Sequence, residues 1–193
     1  MKNLINFIKL THKFQQVKRA LYVNGENRKE NDQEHSYQLA MVAFYLINSK
    51  NFKLNSDLAI KYALVHDLVE IYAGDTPAYT KNKKLRDSKK KREYIAEKKL
   101  KENFPEFKDL PKLIRGYKEL KDKESKFVYA LDKIVPTINI YLDKGRTWKN
   151  NKVTFEEIIE YKKDKVKKSP EIESYYKKLI KIIEKDKSRL FDF

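Results

Sequence analysis

Residues 62–79 read YALVHDLVEIYAGDTPAY, and the fold turns on this stretch. Tyr62, Val65, Leu68, Val69 and Tyr72 recur at three- and four-residue spacing, the mark of a buried helix face. Into that face the sequence sets His66 and Asp67 side by side, then Glu70, and closes with Gly74-Asp75. A buried imidazole or carboxylate is costly unless it is paired or bound to a metal. An apolar helix that ends in ionisable groups therefore points to a site at its end.

Working outward, the apolar spacing reads as helix almost everywhere, and Gly 4 and Pro 5 are few breakers for 193 residues. The expectation is an all-α helical bundle, with no internal repeat and no composition shift to divide residues 1–193 into more than one domain. Helices are expected over about 3–20, 31–48, 57–72, 86–103, 109–120, 124–143, 154–168 and from 170 onward. Asn31 with Glu34, and Thr154 with Glu157, have capping-box spacing. Ser56 and Ser169 are expected N-caps, the latter ahead of Pro170 at the first helical position. Pro136 is expected to kink its helix. Residues 73–84 read as a loop, and the run KNKKLRDSKKKR (81–92) as a solvated loop and helix start.

Composition limits the chemistry. With Cys 0, disulfides, thiolate nucleophiles and cysteine-ligated metal centres are excluded, and an intracellular, cytoplasmic setting fits. No apolar run is long enough to cross a bilayer, and the N-terminal MKNLINFIKLTHKF lacks the core of a signal peptide. The net charge of +16 raises nucleic-acid binding. The basic residues are mostly Lys interleaved with Glu and Asp, as in EEIIEYKKDKVKK, and no nucleic-acid motif accompanies them, so a solvated helical surface is the favoured reading. Such a field also attracts small anions.

Three His residues are present. His12 has no acidic neighbour. His35 lies early in the second expected helix, and His66-Asp67 late in the third. Imidazole and carboxylate together suit divalent Mn, Fe, Co, Ni or Zn. On a straight helix adjacent residues point about 100° apart, so His66 and Asp67 reach one ion only at their shared edge and need further ligands. His35 is one candidate. Asp132, which interrupts the apolar run FVYALDKIVPTINIYL, is another, and an ion pair with Lys133 is its alternative.

These residues resemble the H…HD…D signature of the HD-domain metal-dependent phosphohydrolases. EHSYQLAMVA, HDLVEIYAGDTP and ALDKIVP are similar to the corresponding segments of the HD-domain 5′-deoxynucleotidases, over about residues 14–143, with the helices of 154–187 packing on that region. The resemblance implies one divalent ion held by His35, His66, Asp67 and Asp132 between central helices. It implies Glu70 as general base or water-orienting group, Asp75 as the group that helps protonate the leaving sugar oxygen, and Arg19 on the phosphate. Members carry an aromatic after the Arg that bears on the ribose 2′-hydroxyl. Here Ala20 and Leu21 follow, and Tyr22 is the aromatic candidate, with Arg28 as a second anion contact. Metal-dependent hydrolysis of (deoxy)nucleoside 5′-monophosphates by a homodimer follows as the expectation. A phosphohydrolase of triphosphates or signalling nucleotides, and a Lys-rich helical binding module with a structural metal site, are the alternatives.

Overall fold

Capping and burial set the frame that carries the site. In the computed structural model, which describes residues 1–192, the elements are α1 (Lys2–Gln16), β1 (Lys18–Tyr22), β2 (Lys29–Asn31), α2 (Asp32–Ser49), α3 (Ser56–Val65), α4 (Glu70–Ala73) and α5 (Lys83–Asn103). They continue with α6 (Leu110–Lys118), α7 (Lys123–Leu142), α8 (Arg146–Asn151), α9 (Phe155–Val166), α10 (Pro170–Lys185) and α11 (Lys187–Leu190). The all-α expectation holds but for one antiparallel hairpin.

Asn31 and Glu34 form the expected capping box, so α2 starts at a defined residue and fixes the direction of His35. Thr154 and Glu157 do the same for α9. Ser56 does not cap α3; the Asn55 side chain one residue earlier accepts the Leu58 N–H. The Ser169 hydroxyl donates to Glu171 instead of capping α10, while Pro170 still takes the first turn. Pro136 lies inside α7, which runs unbroken from Lys123 to Leu142.

Two further expectations fail, and both failures shape the site. The first helix stops at Gln16, and residues 18–22 form a strand. Val17 and Leu21 continue the helical period by chance, but the Asp32 N–H donates to Val17 O and β1 pairs with β2, a non-local partner that periodicity does not register. The third helix does not reach Tyr72. It ends at Val65, and residues 66–69 turn through Leu68 N–H to Val65 O and Glu70 N–H to Asp67 O before α4 begins. The HD pair therefore occupies a tight turn between two helices. The basic helix also starts earlier than expected, at Lys83, where Asn82 caps it through the Leu85 N–H.

Two apolar clusters hold this arrangement. One joins α2, α3 and α7 through Leu39, Ala43, Ala59, Ala63, Phe127 and Leu131 and extends to α9 and α10 through Ile158, Ile172 and Ile183. The other packs Leu10 and Phe14 of α1 against Val65, Leu68, Val69, Leu100 and Ile114. Each of the Leu, Ile, Val and Phe side chains contributes about 1.5–3 kcal/mol of burial. The HD turn lies between the clusters: Ala63 belongs to one, Val65 and Leu68 to the other. Among the described residues no helix is long and apolar enough to cross a membrane.

Candidate metal centre and cavity

α2 brings His35, the turn after α3 brings His66 and Asp67, and α7 brings Asp132. His35, His66 and Asp132 are buried, and each offers a ligand atom within 4.8 Å of the others. His35 Nε2 lies 2.9 Å from Asp132 Oδ1. His66 Nδ1 donates to Ala63 O at 2.8 Å, which fixes the ring and turns Nε2 toward the cluster. That Nε2 is 2.9 Å from Asp67 Oδ2 and 3.8 Å from Asp132 Oδ1, with a directed hydrogen bond to neither. Asp67 belongs to a second convergence, with Asp32 and Glu70, again within 4.8 Å. The four expected ligands thus meet as a tight trio with Asp67 at its edge, drawn toward Arg19.

Charge follows from these contacts. Burial and the Arg19 guanidinium push His35 down to about 4, so it is neutral, the state a metal ligand requires. Burial alone would lower His66, but Asp67 and Asp132 outweigh it and raise it to about 10. Burial opposes ionisation of Asp132, yet Lys133, His35 and His66 hold it well below the carboxylate range. Asp67 is likewise held low, against burial, by His66 and Arg19. The pairing of Asp132 with Lys133 is present alongside the His contacts, so the two readings of Asp132 coexist.

The donor set fits a divalent cation. Two imidazoles and carboxylates converge, and buried His66 Nε2, Asp32 Oδ2 and Glu70 Oε2 have no hydrogen-bond partner.

Beside the cluster lies a cavity of about 440 Å³, whose lining includes Arg19, Asp67, Glu70, Asp75, Asp132 and Lys133. Tyr79, Trp148 and Tyr161 add an aromatic part to that lining. Glu70 is 4% exposed. Burial and the carboxylates of Asp67, Asp75 and Asp32 raise it well above the usual range, while Lys89 at 3.7 Å opposes this. Asp75, half-buried at the rim, is raised by burial and Asp67 against the pull of Arg19. The loop that carries Asp75 is clamped by Arg92, which donates to Ala73 O, to Gly74 O at 3.2 Å and to Thr76 Oγ1 at 2.6 Å.

Arg19 lines the cavity, but its guanidinium is held by three carboxylates: Glu30 at 3.0 Å, Asp32 at 3.2 Å and Asp67 at 2.9 Å. Tyr22 does not share the cavity. It lines a separate, more open pocket, its ring 3.3 Å from Lys29 Nζ and 4.2 Å from the Arg146 guanidinium. β1 carries a register shift between Lys18 and Tyr22, so the spacing from Arg19 does not bring Tyr22 to the cavity. Ala20 and Leu21 line the cavity in its place. Arg28 is 45% exposed and paired with Glu26 and Glu34, away from the cavity. His12 is exposed on α1.

Sequence reasoning missed Asp32, fully buried, which burial and Asp67 raise to about 7. Its signal was available: Asp32 stands three residues before His35, on the same face of α2. Glu30, which pairs with Arg19, and Lys89, Lys162 and the aromatic rings of the cavity were also missed, because tertiary packing alone brings them to the site.

Comparison with known proteins agrees with this geometry. The chain is 34% identical over 135 residues to 5′-deoxynucleotidase HDDC2 of Bos taurus, covering 68% of this chain and 63% of that protein. The Homo sapiens protein of that name is 33% identical over the same shares. A 5′-deoxynucleotidase of Shewanella oneidensis is 43% identical over 89 residues, 42% of this chain and 46% of that one. The matched region therefore spans a little under two thirds of the HDDC2 relatives. Among solved structures, a predicted metal-dependent phosphohydrolase from Magnetospirillum magnetotacticum MS-1 superposes with a TM-score of 0.82 at 24% identity, over 95% of this chain and 92% of that one, and so supports the fold. The HD domain family model matches residues 11–173, the span that contains the hairpin, the trio and α9, and the chain belongs to the HD-domain family.

Proposed function

We propose that the chain is a metal-dependent phosphomonoesterase that hydrolyses nucleoside 5′-monophosphates, most simply a 5′-deoxynucleotidase. The observation that carries this reading is the cavity beside the His–His–Asp trio, whose lining combines Asp132, two raised carboxyls and Arg19 with the aromatic rings of Tyr79, Trp148 and Tyr161. Such a lining suits an anionic phosphate joined to a flat base. The HDDC2 relatives and the Shewanella protein are named for this activity, which supports it.

His35, His66, Asp67 and Asp132 would hold one divalent ion, which when bound supplies Lewis acidity at the phosphoryl group and lowers the pKa of a water. The other steps belong to side chains. Arg19, kept charged by its three carboxylates, donates a hydrogen bond to the phosphate. Glu70 orients the attacking water and accepts its proton. Asp75, raised at the rim, returns a proton to the leaving 5′-oxygen. The base lies toward Tyr79, Trp148 and Tyr161, and the sugar passes Ala20 and Leu21, so selectivity at the 2′-position rests on those two residues and not on Tyr22. On this reading residues 1–193 act as one domain, with α9 closing the cavity through Tyr161 and Lys162. The homodimer belongs to the same proposal; Tyr37, Met41 and Tyr45, exposed along one stripe of α2, are the face it would bury.

Phosphate release from deoxy- and ribonucleoside mono-, di- and triphosphates, with Mn, Co, Ni, Zn or Mg added to chelator-stripped protein, tests the reading. Release from monophosphates is expected, falling at least about a hundredfold in Asp67→Ala together with bound metal. No release from any monophosphate with any metal would discard it.

A further inference from the structure

Among the charged groups that line the cavity and that this mechanism leaves unused, one is buried without a counter-charge. Lys162 on α9 lines the cavity and is 5% exposed. A buried ammonium is ordinarily paired with a carboxylate. Lys162 pairs with none among the described residues: its Nζ donates to Lys133 O at 2.5 Å, a neutral acceptor. The cations around it make matters worse. Lys133, which pairs with Asp132, and Arg19, which pairs with Glu30, Asp32 and Asp67, already have their counter-charges. Five cationic side chains line the cavity; Lys81 is exposed and Lys89 pairs with Glu70 and Glu93, so among the described residues Lys162 is the buried one that lacks an anion.

A purely structural role accounts poorly for this. The Lys133 carbonyl already accepts the Thr137 hydroxyl at 3.0 Å, so it does not need a charged donor. An apolar side chain at 162 would pack against the Val166 and Ile158 face of α9 at less cost than an uncompensated charge. An anion from outside the chain, small enough for a cavity of about 440 Å³, would supply the missing counter-charge.

We propose that Lys162 is a further substrate-binding residue, whose ammonium takes a phosphoryl oxygen of the phosphate bound beside Arg19. Naming the anion as a phosphomonoester rests on the nucleotidase reading; the need for an anion at Lys162 rests on burial and pairing alone. Burial and the Lys133 charge push Lys162 down to about 7, as expected for an ammonium without its counter-charge. Arg19 and Lys162 come from β1 and α9, so an anion bound by both ties the hairpin to the C-terminal helices across the cavity.

Inorganic phosphate binding to the metal-loaded protein, measured by calorimetry, tests this with two variants. Lys162→Met keeps the stem and removes the charge. Lys162→Gln keeps a donor for Lys133 O and is neutral. Both are expected to bind phosphate at least about tenfold more weakly, about 1.4 kcal/mol, and to raise KM for a nucleoside monophosphate. Phosphate affinity within twofold of wild type in either folded variant, or full affinity in Lys162→Gln alone, overturns the proposal, since a structural donor would be rescued by Gln. Should neither variant fold, the acylation rate of Lys162 in the wild-type protein decides, read by mass spectrometry. Slowing by phosphate is expected, and an unchanged rate overturns the proposal. Failure of the nucleotidase reading would look different: no nucleotide turnover by wild type, with phosphate still bound through Lys162.

Discussion

At the scale of the residue, the site is a set of charges placed where water cannot screen them. Glu70→Gln keeps the shape of the side chain and removes its basicity. Turnover should fall about a hundredfold or more, the usual contribution of a positioned base, with bound metal unchanged by elemental analysis. Glu30 gives a pH prediction. Burial, partly offset by Arg19, raises its carboxyl to about 7 from an ordinary 4.5. Between those values the folded protein holds a proton that the unfolded chain releases, so this group's stabilisation is complete below pH 4.5 and is lost as pH rises through 7. In metal-stripped protein, Glu30→Gln should gain stability over wild type between pH 5 and pH 7, at up to about 1.4 kcal/mol per pH unit. Urea midpoints at the two values check it; a constant difference would contradict it. His35, His66-Asp67 and Asp132 were legible in the sequence because each is an ionisable residue inside an apolar period. Glu30 and Lys162 were not, because nothing local distinguishes a buried charge from a surface one in a chain with 44 basic residues.

At the scale of the element, caps and turns decide where the donors point. The Asn31 box sets the first residue of α2, one residue from Asp32 and one turn from His35. Asn31→Ala should cost about 1 kcal/mol of stability, read as a lowered urea midpoint with unchanged slope, and should weaken metal retention as Asp32 and His35 loosen. Both capping boxes were readable because their chemistry is local, three residues apart. The hairpin was not. Residues 17–22 satisfy the helical period, and their strand state depends on pairing with residues 29–31 across a turn. Tyr22, expected near the substrate from the family resemblance, lies in a separate pocket. The break at His66 was equally hidden, since an apolar period does not say whether a helix continues or tightens into a turn.

At the scale of the whole molecule, the cavity is a junction. β1, the 74–82 loop, α7, α8 and α9 each contribute to its wall, so elements distant in sequence share the cost of its uncompensated charges. An ion that binds the folded chain alone stabilises it by mass action. Chelator stripping should therefore lower the melting temperature by about 5–10 °C, and re-addition of the right ion should restore it; melting that ignores both would remove the metal site. The helical architecture as a whole was legible from spacing and scarce breakers. The convergence of these segments, with the HD turn, α4 and α5, on one cavity was not, because it exists only after packing. Trp148, the one tryptophan of the chain, stands in that wall, fully buried and stacked at 5.1 Å on Phe191. The protein thus carries its own optical probe. Indole emission, excited apart from the 13 tyrosines, reports from the floor of the cavity itself, so ligand entry can be followed in real time without a label.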